Sequence, residues 1–192
     1  MTFLSFKNYS KSSDEELMLY ISKGKEKAFN ELHNRYAKKL LYFFFQKLND
    51  EEKAQDFLQD IFIKIIENPW KFDATKKFSS WVYSVAYNMC KNEFRNESLK
   101  SINHNFILNN QEVDKVPFFC EMDLNLFNES LKQALNKLDE THKITFELRY
   151  FHELSLNEIA EITETSIGTV KSRLFYTTKK LSKSLQFLNA KV

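Results

Sequence analysis

The sequence predicts an all-α protein of two small helical domains joined by a flexible linker, the C-terminal one a helix-turn-helix. Three observations lead there. The 192 residues include only two Gly and two Pro, so helix breakers are scarce, while Leu, Lys, Glu and Asn abound. Apolar residues recur three and four apart in several segments, the spacing that lines one side of a helix. That period lapses from Glu97 to about Met122, where Asn, Ser, isolated charges and Pro117 read as a linker of roughly 25 residues. The expected division is therefore 1–96, a linker at 97–122, and 123–192.

In chain order, Ser12 or Ser13 caps a short helix from Asp14 to about Ser22, closed by Gly24. A long helix follows from about Lys25 to Leu48, and Asn49-Asp50 starts the next. In that third helix Ala54, Phe57, Leu58, Ile61, Phe62 and Ile65 make the clearest apolar stripe of the N-terminal half, and Pro69 ends it. A basic loop, Lys71 to Lys77, leads to a helix from Phe78 to about Asn96 with Phe78, Trp81, Val82, Val85 and Met89 on its core side. Phe118 and Phe119 in the linker are able to dock onto either domain. Helices at about Leu124 to Lys137 and Glu140 to Tyr150 then precede a final pair.

That pair is Leu154-Ser-Leu-Asn-Glu-Ile-Ala-Glu-Ile-Thr-Glu-Thr-Ser-Ile-Gly-Thr-Val-Lys-Ser-Arg-Leu174. Ile159 and Ile162, then Ile167, Val170 and Leu174, supply the buried sides, with a polar break between them. Ser155 with Glu158 forms a capping box, and Ser166 caps the second helix with Thr169 in the matching place. Glu164 occupies the turn position where a left-handed backbone favours Gly or Asn, so strain is expected there.

Charge divides at the same turn. From Leu138 to Glu164 there are seven acidic residues and two basic ones; from Thr165 to Val192 there are six basic residues and none acidic. A cationic second helix behind an acidic first one places attraction only where phosphates lie, since the second helix of such a unit enters the major groove. Arg173 suits the paired acceptors of guanine, and Ser166, Thr169 and Lys171, near a helix N-terminus, suit phosphate oxygens. Gly168 leaves room for close backbone approach, and Ser172, Phe175 and Tyr176 also point outward. The alternative is a helical hairpin whose cations are merely solvated.

Two further surfaces carry chemistry. On the third helix Gln55, Asp56, Gln59 and Asp60 lie opposite the apolar stripe with Ile63 among them, an acidic face with an apolar anchor that suits a protein partner or else plain solvent. On the helix from Phe78, Ser80, Ser84, Tyr87, Asn88, Lys91 and Arg95 form an outer stripe with Tyr83 to one side. Aromatics, amides and cations so interleaved suit single-stranded DNA, whose bases stack on rings while cations hold phosphates. Phe78, Trp81 and Tyr83 equally suit core packing.

Bulk properties set bounds. Hydrophobic residues at 43% and charged ones at 28% are ordinary for a globular protein, and a net charge of +2 means that any nucleic-acid affinity must come from local patches. Cys90 and Cys120 are thirty residues apart and four scattered His add no cluster, so no metal and no cofactor is expected, and a reduced cytoplasmic setting is. The opening Met1 to Lys7 is too soon charged for a signal peptide, and no apolar run is long enough to span a bilayer, so no direct membrane insertion is expected. No glycine-rich phosphate loop or paired His and carboxylate motif points to an enzyme.

Gln55-Asp-Phe-Leu-Gln-Asp-Ile-Phe-Ile-Lys64, Phe78-Ser-Ser-Trp-Val-Tyr83, Ala86-Tyr-Asn88, Leu154-Ser155 through Glu158-Ile-Ala160, and Gly168-Thr-Val-Lys-Ser-Arg-Leu174 together resemble a bacterial RNA polymerase sigma factor of the sigma-70 family, in the short extracytoplasmic-function (ECF) form. The resemblance spans nearly the whole chain. It implies that residues 1–96 bind core RNA polymerase and the −10 promoter element, that 123–192 read the −35 element, and that the linker runs into the polymerase. Carried over by position, Gln55, Asp56, Gln59, Asp60 and Ile63 meet the polymerase; Lys76, Lys77, Tyr87, Asn88 and Lys91 melt and capture the −10 strand; Arg149 approaches the −35 backbone, and Ser172, Arg173 and Tyr176 lie outward on the recognition helix. An anti-sigma factor is a further implied partner. The chain departs from the family at Gln55 and Asp60, where Glu is common, at Tyr87, where Arg is usual, and at Phe175-Tyr-Thr-Thr178, where Arg is more frequent. The rival reading is a helix-turn-helix regulator that binds duplex DNA unaided.

Overall fold

Local capping starts the first unit. Ser13 Oγ accepts from the Glu16 N–H at 3.2 Å while the Glu16 carboxylate accepts from the Ser13 N–H at 3.1 Å, and this box opens α1 (Asp14–Ile21). Gly24 follows at φ +70°, a backbone that glycine adopts without a side-chain clash, and turns the chain into α2 (Glu26–Leu48). Asn49 at φ 52° ends α2 in the left-handed conformation, and Asp50, whose side chain accepts from the Lys53 N–H, opens α3 (Glu51–Glu67). Short 3-10 turns occupy Tyr9–Lys11 and Pro69–Lys71, and α4 (Phe78–Asn103) completes the unit. The computed structural model describes residues 8–103 and 122–189, with the backbone alone for 100–103, 122–128 and 186–189.

Long α2 is the centre of this unit, packing on α1, α3 and α4. Leu32, Leu40, Phe43 and Phe44 of α2 are fully buried, as are Ala54, Ile61 and Ile65 of α3. Rings meet edge to face across the joints: Tyr36 with Phe78 at 5.0 Å, Phe43 with Tyr83 at 5.5 Å, and Phe44 with Phe57 at 5.5 Å. Arg35 ties the chain before α1 to α2, donating to Asp14 at 2.7 Å, to Glu31 at 2.8 Å and to the carbonyls of Ser10 and Ser12 at 2.9 Å each.

Helix α4 differs from expectation in two ways. Its most buried residues are Phe78, Val82, Tyr83, Ala86 and Cys90, while Trp81, Val85 and Met89 are only half-buried. The first turns meet α1 through Glu15 and α2 through Tyr36 and Phe43, so more than one side is enclosed and a single stripe underestimates the core. The helix also continues to Asn103, past the expected end near Asn96. Lys53 of α3 bridges to Glu93 at 3.1 Å and also meets Glu97, one turn further on, and so holds this extension against α3.

In the second unit α5 (Met122–Asn136), α6 (Glu140–Tyr150), α7 (Leu156–Ile162) and α8 (Ile167–Asn189) follow one another, with α5, α6 and α7 all packing on α8. Asp139 caps α6. Ala134, Leu135, Phe146 and Leu181 form a core joined by Leu131, Leu138 and Phe151, while Ile159, Ile162 and Val170 bury the joint between α7 and α8. Ser155 and Glu158 make the expected capping box. Glu164 sits at φ 53°, the left-handed turn foreseen from its position. Ile167, assigned to the buried side, is instead 42% exposed at the first residue of α8, at the rim of an open concavity that it lines with Ala160 of α7.

Among the described residues there is no strand. The chain divides into two compact units, Met1–Asn109 and Asn110–Val192. Pro117, Phe118, Phe119 and Cys120 lie outside the described residues.

Candidate functional site

Three outward surfaces remain once the cores are filled. On α3, Gln55, Asp56, Gln59, Asp60 and Ile63 are all exposed, Ile63 by 48%, because Ala54, Ile61, Phe62 and Ile65 commit the opposite side to the core. Ile66, half exposed and three residues after Ile63, widens the aliphatic part of this face beyond the residues that the sequence pattern singles out. Phe29, His33, Leu58, Phe62, Ile63 and Ile66 line an open apolar groove between α2 and α3. Its floor is fixed by aromatic packing, with the His33 ring 4.5 Å from Phe62 and Phe29 5.8 Å from Phe62.

On α4 the expected stripe is only partly outward. Ser80 is 2% and Tyr83 1% exposed, so neither side chain reaches a strand; both lie in the turns enclosed by neighbouring helices. Burial pushes the Tyr83 hydroxyl well above the usual phenol value, which keeps it neutral. Ser84 is half-buried and donates to the Ser80 carbonyl at 2.9 Å, a bond inside its own helix. Further along the helix Asn88, Lys91 and Arg95 are exposed, Tyr87 is half-exposed, and Lys91 Nζ stands 5.6 Å from the centre of the Tyr87 ring.

The loop before α4 is built from local bonds. Asp73 accepts from the N–H and the hydroxyl of Thr75, which holds its carboxyl below the usual value. Glu15 of α1 accepts from the Phe78 N–H at 3.1 Å and so caps α4 from outside. Lys76 and Lys77 are both exposed, with Lys77 Nζ 4.0 Å from Glu15.

On α8, Ser166, Lys171, Ser172 and Tyr176 are exposed, and Thr169 and Arg173 half-exposed. Ser166 Oγ accepts from the Thr169 N–H at 3.1 Å and lies 2.9 Å from its hydroxyl, so the two cap the helix together. A Cβ at Gly168 would meet nothing nearer than Ser166 Oγ at 3.6 Å; the chain itself makes no close approach there. Arg149 is exposed but already engaged, its Nη1 donating to the Leu154 carbonyl at 2.9 Å. Phe175 and Tyr176, 61% and 57% exposed, meet edge to face at 5.5 Å. Among the described residues no group of His, Cys, Asp and Glu is arranged to hold a metal ion, and no helix is long and apolar enough to cross a membrane.

A DNA-binding protein of the helix-turn-helix class is what the second unit and its cationic outer helix define. Comparison with known proteins makes this specific. Residues 32–99 match the model of Sigma-70 region 2, and residues 128–181 that of Sigma-70, region 4. The chain is 29% identical over 177 residues to the ECF RNA polymerase sigma factor SigW of Bacillus subtilis (strain 168), covering 88% of this chain and 94% of that one. It is 26% identical over 182 residues to the ECF RNA polymerase sigma-E factor of Escherichia coli (strain K12), covering 91% and 95%. In fold it is similar to the sigma factor RpoE of Bartonella quintana, solved with the anti-sigma factor NepR, at TM-score 0.72 and 21% identity over 83% of this chain and 98% of that one. CnrH, solved with the cytosolic domain of CnrY, aligns at TM-score 0.68 and 20% identity over 91% and 98%. With the two regions matched over more than half of its length, the chain belongs to the sigma-70 family of RNA polymerase sigma factors, in its ECF form, and its role is transcription initiation.

Proposed function

We infer that residues 1–96 grip core RNA polymerase through Gln55, Asp56, Gln59, Asp60 and Ile63, and that the same domain captures the melted −10 strand through Tyr87, Asn88, Lys91 and Arg95, with Lys76 and Lys77 on its phosphates. Residues 123–192 read the −35 duplex with α8, Arg173 on a base edge and Ser166, Thr169, Lys171, Ser172 and Tyr176 around it; Arg149 braces the unit and touches the backbone. The segment between α4 and α5 runs inside the polymerase. Ser80 and Tyr83, both buried, support α4 from within and do not contact the strand.

The observation that supports this reading best is the segregation of the outward side chains: acid with an aliphatic anchor on α3, ring with cations on α4, cations with aromatics on α8. An acidic face suits a basic protein surface, whereas the other two suit phosphate and base. Melting follows physically when a base leaves the stack, at a cost of a few kcal/mol that ring and phosphate contacts offset. The chain performs no covalent chemistry and acts in the cytoplasm, where polymerase is. An anti-sigma factor that covers the α3 or α8 surface is the expected inhibitor.

Run-off transcription with core polymerase of the same organism, with and without the protein, tests the reading. Initiation at a discrete promoter set is expected only in its presence. Tight binding to an operator by the chain alone, with no initiation, would overturn it.

A further inference from the structure

We propose that Glu15 of α1 is a built-in counter-anion of the strand-binding surface: its carboxylate stands at the start of α4 beside Lys77 and so holds down the sequence-independent attraction of that surface for phosphate. This rests on the assignment of Lys76 and Lys77 to the phosphates of the strand. The first turn of α1 carries three carboxylates with different partners. Asp14 takes Arg35 and the Tyr36 hydroxyl, and Glu16 closes the capping box with Ser13. Glu15 instead reaches a residue 63 positions along the chain, accepting from the Phe78 N–H at 3.1 Å.

The position it fills favours negative charge. The first N–H groups of a helix have no partner within it, and the helix dipole adds positive charge at that end. Lys77, the residue before α4, has a side chain that only donates, so the cap has to come from elsewhere. A carboxylate of the same chain supplies it, and the oxygen that caps Phe78 also lies 4.0 Å from Lys77 Nζ. Partial burial pushes the Glu15 carboxyl up, but hydrogen bonds from its own N–H, the Phe78 N–H and Ser13, with the Lys77 charge, outweigh that and keep it below its ordinary value. Glu15 is therefore ionised at neutral pH. The two contacts differ in kind. The cap fixes the carboxylate on the half-buried side of the joint, whereas Lys77 is 73% exposed and a pair so placed is weak, so the lysine can exchange it for a phosphate. A fixed negative charge then remains behind the lysine and opposes the charge of the strand. With backbone attraction held down, retention of a strand falls to the base contacts further along α4.

The test uses holoenzyme assembled from core and the full chain, on fork-junction DNA from a promoter it fires and on the same fork with the −10 strand scrambled, over a range of salt. Glu15→Gln keeps an amide oxygen for the Phe78 N–H and removes the charge. It is expected to tighten both forks by about 5-fold at roughly 0.1 M salt relative to 1 M, the effect of about one added phosphate contact on a single strand. Its melting temperature is expected to stay close to wild type. Adding Lys77→Gln to Glu15→Gln is expected to remove most of the gain. Unchanged fork binding in Glu15→Gln overturns the inference and leaves Glu15 a helix cap only; a gain that does not depend on salt, or that persists in full without Lys77, also overturns it. Lys76→Gln with Lys77→Gln on the same DNA separates the two levels. If that pair weakens binding and Glu15→Gln changes nothing, the counter-anion alone is wrong; if neither has an effect, the assignment of these lysines to phosphates fails with it.

Discussion

Arg149 Nη1 donates to the carbonyl oxygen of Leu154 at 2.9 Å, across the turn that joins α6 to α7. Leu154 is buried, so this guanidinium helps fix the angle at which the helix-turn-helix leaves α6. Arg149→Ala is expected to cost about 1.5–3 kcal/mol of stability as well as −35 affinity, with Arg149→Lys recovering the phosphate attraction but little of the stability. Thermal melts beside duplex binding check this; a melt equal to wild type would leave Arg149 as a phosphate contact only.

Asp56→Lys with Asp60→Lys reverses the charge on a side of α3 that buries nothing. Core-polymerase binding is expected to be lost while the melting temperature stays within a few degrees of wild type, since exposed substitutions usually change stability by less than about 0.5 kcal/mol. Retention of the double variant in a pull-down with core would remove α3 from the interface.

Tyr83 and Tyr87 stand one turn apart and do different work. Tyr83→Ala empties a ring-sized space against Phe43 and is expected to cost about 3–5 kcal/mol of folding stability. Tyr87→Ala with Asn88→Ala should leave the fold intact and impair open-complex formation more than closed binding. Permanganate footprints alongside melts separate the two outcomes, and equal loss of closed and open complexes by the second variant counts against strand capture.

Arg173→Ala is expected to weaken −35 binding by about 1–3 kcal/mol and to relax the preference at one base pair. Binding to a panel of single-position −35 variants decides it. Uniform weakening across the panel makes Arg173 a phosphate contact.

Asp139 accepts from the Thr141 hydroxyl at 2.6 Å, lies 2.6 Å from the His142 ring Nδ1 and accepts from the His142 N–H at 3.1 Å, and these contacts hold its carboxyl far below the ordinary value near 3.8. A depressed carboxylate stabilises the fold fully above that ordinary value and loses its contribution as pH falls through the folded one. Asp139→Asn keeps a capping side chain but removes the charge, so its melting temperature should fall below wild type near neutral pH and converge with it in acid. Parallel curves at all pH values would show that the charge contributes nothing.

Helix positions, caps and the charge division were legible in the residues themselves. The Ser13, Ser155 and Ser166 caps and the left-handed Glu164 all stand where local spacing put them, because caps and turns are decided within a few residues. The acidic side of α3 was equally plain, since that helix is packed along one stripe only. Where several elements converge, one-dimensional periodicity stops being a guide. Ser80 and Tyr83 lie on an apparent outer stripe, yet they are buried in the first turns of α4, where Glu15 of α1 and Tyr36 and Phe43 of α2 make contact. Helix α4 outlasted its apolar pattern because Lys53, some forty residues earlier, reaches Glu93 and Glu97. Trp70 and Phe72 look alike in sequence, and only the aromatic cluster around Phe78 decides which ring is inside. Near neighbours along the chain settle where most helices start, how they are capped and where charge gathers. Where several helices meet, as at the first turns of α4, partners distant along the chain set which sides are buried.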